Sequence, residues 1–80
     1  MSRKNGGDNM FAERLAKTRK AHGLTQKQVA NGIGITPVGY QQYELGRREP
    51  NFQRTIALAD YFNVSLDYLT GRTDNPEINR

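Results

Sequence analysis

Thr25-Gln-Lys-Gln-Val-Ala-Asn-Gly-Ile-Gly-Ile-Thr-Pro-Val-Gly-Tyr-Gln-Gln-Tyr-Glu44 reads as two short helices joined by a tight turn. Thr25 is a good N-cap, and Gln28 three residues later completes a capping box, in which two orphaned N–H groups are satisfied reciprocally. Val29 and Ala30 then face inward, with Ile33 one turn later. Gly34 falls where a left-handed residue is needed to end the first helix without a Cβ clash. Thr36 caps a second helix, and Pro37 takes its first position, where a missing N–H does no harm. Tyr40 and Tyr43 share one face and pack inward, which leaves Gln41 and Gln42 pointing elsewhere.

Spacing carries more than any single residue. With Gln26 counted as first, the small Ala30 is fifth and Gly34 is ninth. Apolar residues fall fourth, eighth, tenth, fifteenth and eighteenth. Two helices crossing at a steep angle need a small residue at their contact, a glycine at the turn and an apolar seam on both sides. That is the helix-turn-helix unit, whose second helix enters the major groove of DNA. Around it stand Arg14-Leu-Ala-Lys-Thr-Arg19, Leu24-Thr-Gln26, Tyr43-Glu-Leu-Gly46, Pro50 and Val64-Ser-Leu-Asp-Tyr-Leu-Thr-Gly71. On these motifs the chain, from about Phe11 to Arg72, resembles the Cro and phage-repressor type of helix-turn-helix domain, the XRE family. The resemblance implies an all-α, lambda-repressor-like DNA-binding domain.

Taken in order, Met1–Asn9 holds two glycines and no large apolar residue after Met1, and is expected to be a disordered tail. Asn9 caps a helix from Met10 to about Ala21. Phe11, Leu15 and Thr18 or Arg19 share one face with Ala12 and Ala16 beside them, and Arg14, Lys17 and Lys20 lie on the other. His22-Gly23 ends it, with His22 exposed and interacting with the helix end. The next two helices span Gln26–Ile33 and Pro37–Leu45, the second closed by Gly46. Gly32 and Gly39 lie inside them and each costs roughly 1 kcal/mol relative to alanine, so this unit is expected to be locally soft. Arg47-Arg48-Glu49-Pro50 is an exposed loop. Asn51 caps a helix over Phe52–Phe62, with Phe52, Ile56, Ala59 and Phe62 on one face and Leu58 flanking. Asn63 is a left-handed stop. Ser65 caps a short helix from Leu66 to about Thr70, Asp67 suits its dipole, and Gly71 ends it. The result is a compact five-helix bundle over residues 10–71, with the helix-turn-helix at about 25–45 and a polar, frayed tail at 72–80. Its expected core is Phe11, Leu15, Leu24, Val29, Ala30, Ile33, Ile35, Tyr40, Tyr43, Ile56, Ala59, Phe62, Val64, Leu66 and Leu69.

Eighty residues allow one domain with a modest core. The absence of cysteine removes disulfides and thiolate sites and fits a reducing, cytoplasmic setting. No apolar run approaches the ~20 residues of a membrane span, and the start carries no signal-peptide core. The net charge of +4 suits a polyanionic partner. It is also unevenly spread: residues 1–48 hold nine Lys/Arg against three Asp/Glu, and residues 49–80 hold three against five. The basic half is the half containing the motif. One histidine, no Gly-rich phosphate loop and no metal-ligand cluster argue against an enzyme. They also argue against a metal, a cofactor or a small-molecule substrate.

Direct readout needs side chains near the start of the recognition helix, facing away from the core. Pro37, Val38, Gln41 and Gln42 fit. A glutamine pairs in bidentate fashion with N6 and N7 of adenine, and Val38 suits a thymine methyl. In the resembled family the positions matching Pro37, Val38 and Gln42 face bases, with Gln41 nearby. Gly39 departs from the family by leaving a gap where members usually carry a side chain. For phosphate contacts, the N-terminus of the first motif helix offers free N–H groups and a positive dipole end beside Thr25, Gln26 and Lys27. Arg47 and Arg48 stand just past the recognition helix, and Thr36 is a cap first and a phosphate donor second. The family resemblance implies that Gln26 touches the DNA backbone and braces the recognition helix. It also implies a partly buried Arg19–Glu44 ion pair and a homodimer on a palindromic operator, acting as a transcriptional regulator and most often a repressor. The last two helices are candidates for the dimer surface. Tyr61 and Tyr68 serve either as its aromatic contacts or as core edges. The alternative function is an antitoxin or protein-interaction adaptor on the same fold, which the basic motif half disfavours.

Overall fold

Four helices begin at a residue whose side-chain oxygen accepts an N–H from the first turn. Thr25 accepts from Gln28 N at 3.0 Å and Thr36 from Gly39 N at 3.0 Å. Asn51 accepts from Arg54 N at 2.7 Å and Ser65 from Tyr68 N at 2.9 Å. Gln28 returns the Thr25 bond, its Oε1 accepting from Thr25 N at 2.8 Å, so the capping box is closed. The computed structural model describes the backbone of residues 4–78 and the side chains of residues 10–78. Within that range the elements are α1 (Lys4–Ala21), α2 (Gln26–Ile33), α3 (Pro37–Glu44), α4 (Phe52–Phe62) and α5 (Leu66–Leu69). The stops are equally local. Gly34 sits at φ 79° after α2 and Asn63 at φ 57° after α4, the left-handed conformation that releases the chain from the helix.

α2 and α3 pack against each other across the Gly34 turn, α1 lies on α3, α2 on α4, and α5 joins α1 to α4. The seam they share holds Leu15, Val29, Ala30, Tyr40, Tyr43, Leu58, Ala59, Phe62, Val64 and Leu69. Phe11, Leu24, Ile33, Ile35 and Leu66 pack around it half-buried. Each fully buried aliphatic chain contributes about 1.5–3 kcal/mol. The arrangement uses the inner faces of α2 and α3 entirely for this core. Their outer faces, and the loop after α3, remain at the surface.

Several expectations need correction. The first helix starts at Lys4 rather than at Met10 behind an Asn9 cap. A helix anchored by a packed apolar face can extend outward, since each added residue needs only its own hydrogen bond once the nucleus exists. Of the expected N-terminal tail, residues 1–3 lie outside the described residues. Arg14 does not sit on a solvent face. Its guanidinium stacks 4.3 Å from the Tyr68 ring and donates to the carbonyls of Tyr68 and Thr73, each at 3.0 Å. Asp74 pairs with it at 3.0 Å. With Ser65 N donating to Pro76 O at 2.9 Å, this holds the segment after α5 against the domain rather than leaving it frayed. Leu58 is a fully buried core residue, not a flank. Phe52 is 70 % exposed, because it stands at the open first turn of α4, beside a surface groove shared with Leu66 and Thr70. Thr18 is buried and satisfied, its hydroxyl donating to Arg14 O at 2.7 Å. His22 joins two helix ends, with Nδ1 2.9 Å from Thr18 O and Nε2 3.1 Å from Phe62 O.

Gly32 is more than a weak helix residue. A Cβ added there would overlap the ring of Tyr61 on α4. The glycine is what lets α2 and α4 approach, with the Tyr61 ring edge-on to Phe62 at 5.5 Å.

Candidate nucleic-acid interface

The alternation along α3 sorts its side chains. Tyr40 and Tyr43 point into the core, meeting edge-on at 6.4 Å, and Arg54 of α4 donates to the Tyr43 hydroxyl at 3.3 Å. Pro37, Val38 and Gln41 are then exposed and Gln42 half-buried, with Val38 at 67 %. Among the described residues no side chain hydrogen-bonds to Gln41 or Gln42. The first turn of α3 has little else to offer a ligand. Pro37 has no N–H, Gly39 N is capped by Thr36, and Tyr40 N bonds to Thr36 O at 3.0 Å. The groups left open on this turn are therefore its outward side chains and the Val38 N–H.

Two cationic edges flank this face. At the start of α2, Thr25 is occupied as a cap and Lys27 is exposed, and the capping box leaves the N–H groups of Gln26 and Lys27 free. Past α3, the backbone turns back on the helix: Gly46, at φ 74°, is followed by Arg47 N and Arg48 N, which both donate to Gln42 O, at 3.0 and 3.3 Å. The turn fixes Arg47 and Arg48 beside the end of α3, both exposed. Among the described residues none of Lys27, Arg47 and Arg48 has an acidic partner.

The two edges are held in register by one carboxylate. Glu44, the last residue of α3, takes a bidentate fork from Arg19 of α1: Nε to Oε2 at 2.7 Å and Nη2 to Oε1 at 3.1 Å. Arg19 Nη1 also donates to Leu24 O at 2.9 Å, which pins the chain entering α2. Gln26 Nε2 donates to Glu44 Oε1 at 2.9 Å, and the Tyr40 hydroxyl to Oε2 at 2.5 Å. The pair is nearly enclosed, at 13 % and 6 % side-chain exposure. Burial pushes the Glu44 carboxyl up, but the hydrogen bonds from Arg19, Tyr40 and Gln26 outweigh it and hold the group below the ordinary carboxylate range. Burial, and then the neighbouring carboxylate, push the Tyr40 phenol well above its usual value. The bond to Glu44 raises the Arg19 guanidinium against its own burial. All three groups are thus fixed in their ordinary charge states at neutral pH. The Tyr40–Glu44 link is not in the sequence reading, which expects Gln26 to brace this helix without naming Glu44 as its acceptor. The Tyr40–Glu44 link has a readable signal, since the two lie four apart on one helix.

A helix-turn-helix family model matches residues 15–69. The chain belongs to the XRE-type helix-turn-helix family. Among curated members, it is 41 % identical over 68 residues to the HTH-type transcriptional regulator YobD of Bacillus subtilis, covering 85 % of this chain and 61 % of that protein. It is 43 % identical over 60 residues to the cryptic phage CTXphi transcriptional repressor RstR of Vibrio cholerae, covering 75 % of this chain and 54 % of the repressor. A transcriptional regulator from Listeria innocua, known from its crystal structure, superposes with a TM-score of 0.72 at 36 % identity, over 76 % of this chain and 57 % of that one. The chain spans roughly 54 to 61 % of the length of these two curated family members. Among the described residues no helix is long and apolar enough to cross a membrane.

Proposed function

We propose that this protein is a sequence-specific double-stranded DNA-binding transcriptional regulator that inserts α3 into the major groove. The observation that carries this reading is the outer face of α3, with Val38, Gln41 and Gln42 displayed between two cationic edges that have no acidic partner among the described residues. Gln42 and Gln41 read adenine, Val38 meets a thymine methyl, and Pro37 sits at the groove entrance. The free N–H groups at the start of α2, with Thr25, Gln26 and Lys27, and the Arg47–Arg48 pair on the other side, clamp phosphates, and Thr36 is a secondary donor. Arg19 and Glu44 keep the clamp at a fixed width. The relatives named as transcriptional regulators support the same reading, and the phage repressor among them supports a repressor.

One such helix reads only a few base pairs. The protein therefore acts as a homodimer on a palindromic operator, with the two recognition helices ~34 Å apart. The exposed Phe52 and the neighbouring groove, lined by Ile56, Val64, Leu66 and Ile78, support a dimer surface on α4 and α5. Tyr68 lies under Arg14 and serves as a core edge.

The test is enrichment from a random duplex pool, followed by binding of the winning sequence to wild type and to Gln42→Ala. The reading expects an enriched half-site containing adenine. Gln42→Ala should lose about 1–3 kcal/mol of discrimination at that one base while binding non-specific duplex as before. Failure to enrich any sequence, with no salt-sensitive binding to duplex, would overturn it in favour of a protein-interaction adaptor.

A further inference from the structure

Glu44 is a saturated acceptor. A carboxylate offers about four lone-pair sites and only accepts. Here Oε2 takes Arg19 Nε and the Tyr40 hydroxyl, and Oε1 takes Arg19 Nη2 and Gln26 Nε2. Arg19 fills one site on each oxygen. The other two sites hold one residue of α3 and the first residue of α2. Because a carboxylate cannot donate, the Gln26 amide must face it nitrogen first, which settles the amide's orientation. One N–H is spent on Glu44 and the other is left over. Gln26 is half-buried, so that remaining donor stands at the surface edge where α2 begins. Tyr40, by contrast, is fully buried and cannot reach a ligand itself.

We propose that Tyr40 is a positioning residue: its hydroxyl locks the Glu44 carboxylate, which in turn presets the Gln26 amide as a donor to a DNA phosphate. This rests on the DNA-binding reading above. Without the hydroxyl, Oε2 has an open site and the carboxylate can tilt out of the plane of its Arg19 fork, which moves Oε1 away from Gln26. Gln26 then loses its fixed acceptor and its amide rotates. Tyr40→Phe keeps the ring in the core and removes only the hydroxyl's bond.

The experiment is binding of one generic duplex by wild type, Y40F, Q26A and the double variant, by fluorescence anisotropy across a salt series, below each variant's measured melting midpoint. Gln26 is uncharged and releases no counterion, so its phosphate contact is read as affinity at each salt concentration, while the slope of log K against log salt, set by Lys and Arg, stays as in wild type. The expected result is the same loss of affinity, about tenfold, in Q26A and in Y40F, with no further loss in the double variant. Wild-type affinity in Y40F beside weakened binding by Q26A overturns the proposal and leaves the DNA reading intact. So do additive losses in the double variant, or unchanged affinity in Q26A. Wild type that binds without salt dependence overturns the DNA reading itself. Should Y40F fail to fold, the Gln26 side-chain amide of wild type decides by NMR. A preset amide shows its Glu44-bound proton shifted from the free-glutamine position and protected from exchange with water in the free protein, and duplex shifts the other one. Free-glutamine shifts with fast water exchange at both protons overturn the proposal.

Discussion

Truncating Arg19 would leave Glu44 enclosed with two donors in place of four, Tyr40 and Gln26. Breaking one partner of a buried ion pair costs about 3–5 kcal/mol, because the other charge stays buried. The remaining donors put Arg19→Ala at the lower end, about 3 kcal/mol, measurable by urea unfolding. An unchanged midpoint would contradict the account of this pair. The same site sets an acid limit. Glu44 titrates lower in the folded than in the unfolded chain, so its contribution is fully present above the ordinary carboxylate value of about 4.3. It is lost as pH falls through the folded value. The urea-unfolding midpoint of Glu44→Gln should therefore vary less with pH in that window than that of wild type. Residue-scale chemistry of this kind was only partly legible. The Tyr40–Glu44 link lies within one helix, whereas Gln26 and Arg19 reach Glu44 across 18 and 25 residues of chain, and spacing alone does not place such partners.

At the scale of elements, helix starts and stops were the most legible features. Thr25, Thr36, Asn51 and Ser65 cap, and Gly34 and Asn63 stop, through bonds that reach no further than five residues. What a helix meets across an interface is set by other parts of the chain. Arg14 follows the spacing of an exposed residue and is covered by Tyr68 from α5. Phe52 follows the spacing of a core residue and stands uncovered. Gly32 illustrates the point with a testable sign. By helix propensity alone, Gly32→Ala stabilises by about 1 kcal/mol. Here the added methyl meets the Tyr61 ring, and forcing a side chain aside costs typically 1–3 kcal/mol. The expected outcome is a net loss of roughly 1 kcal/mol in wild type and a gain of about 1 kcal/mol in a Tyr61→Ala background, where propensity is unopposed. Thermal melts of the four proteins decide it. The same sign in both backgrounds would show that the α2–α4 contact is not close enough to matter.

For the whole molecule, the division of charge matches the division of labour. The half holding α1 to α3 carries nine Lys/Arg against three Asp/Glu, and one of those acids, Glu44, is consumed inside the Arg19 network. Among the described residues no acidic side chain pairs with Lys27, Arg47 or Arg48 around the outer face of α3. The packed core behind that face, from Tyr40 and Tyr43 to Leu58 and Phe62, keeps its donors at fixed separations, so recognition should need little rearrangement. The dimer reading belongs to this scale too, since only two copies give an operator of useful length. The most direct test of the central claim is the backbone amide NMR spectrum of labelled protein, titrated with a generic duplex at about 50 and about 200 mM salt. The account predicts that Thr25–Lys27, Val38–Gln42 and Arg47–Arg48 shift together at the lower concentration and weaken together at the higher. Silence from all three groups at low salt, or movement confined to α5, would contradict it.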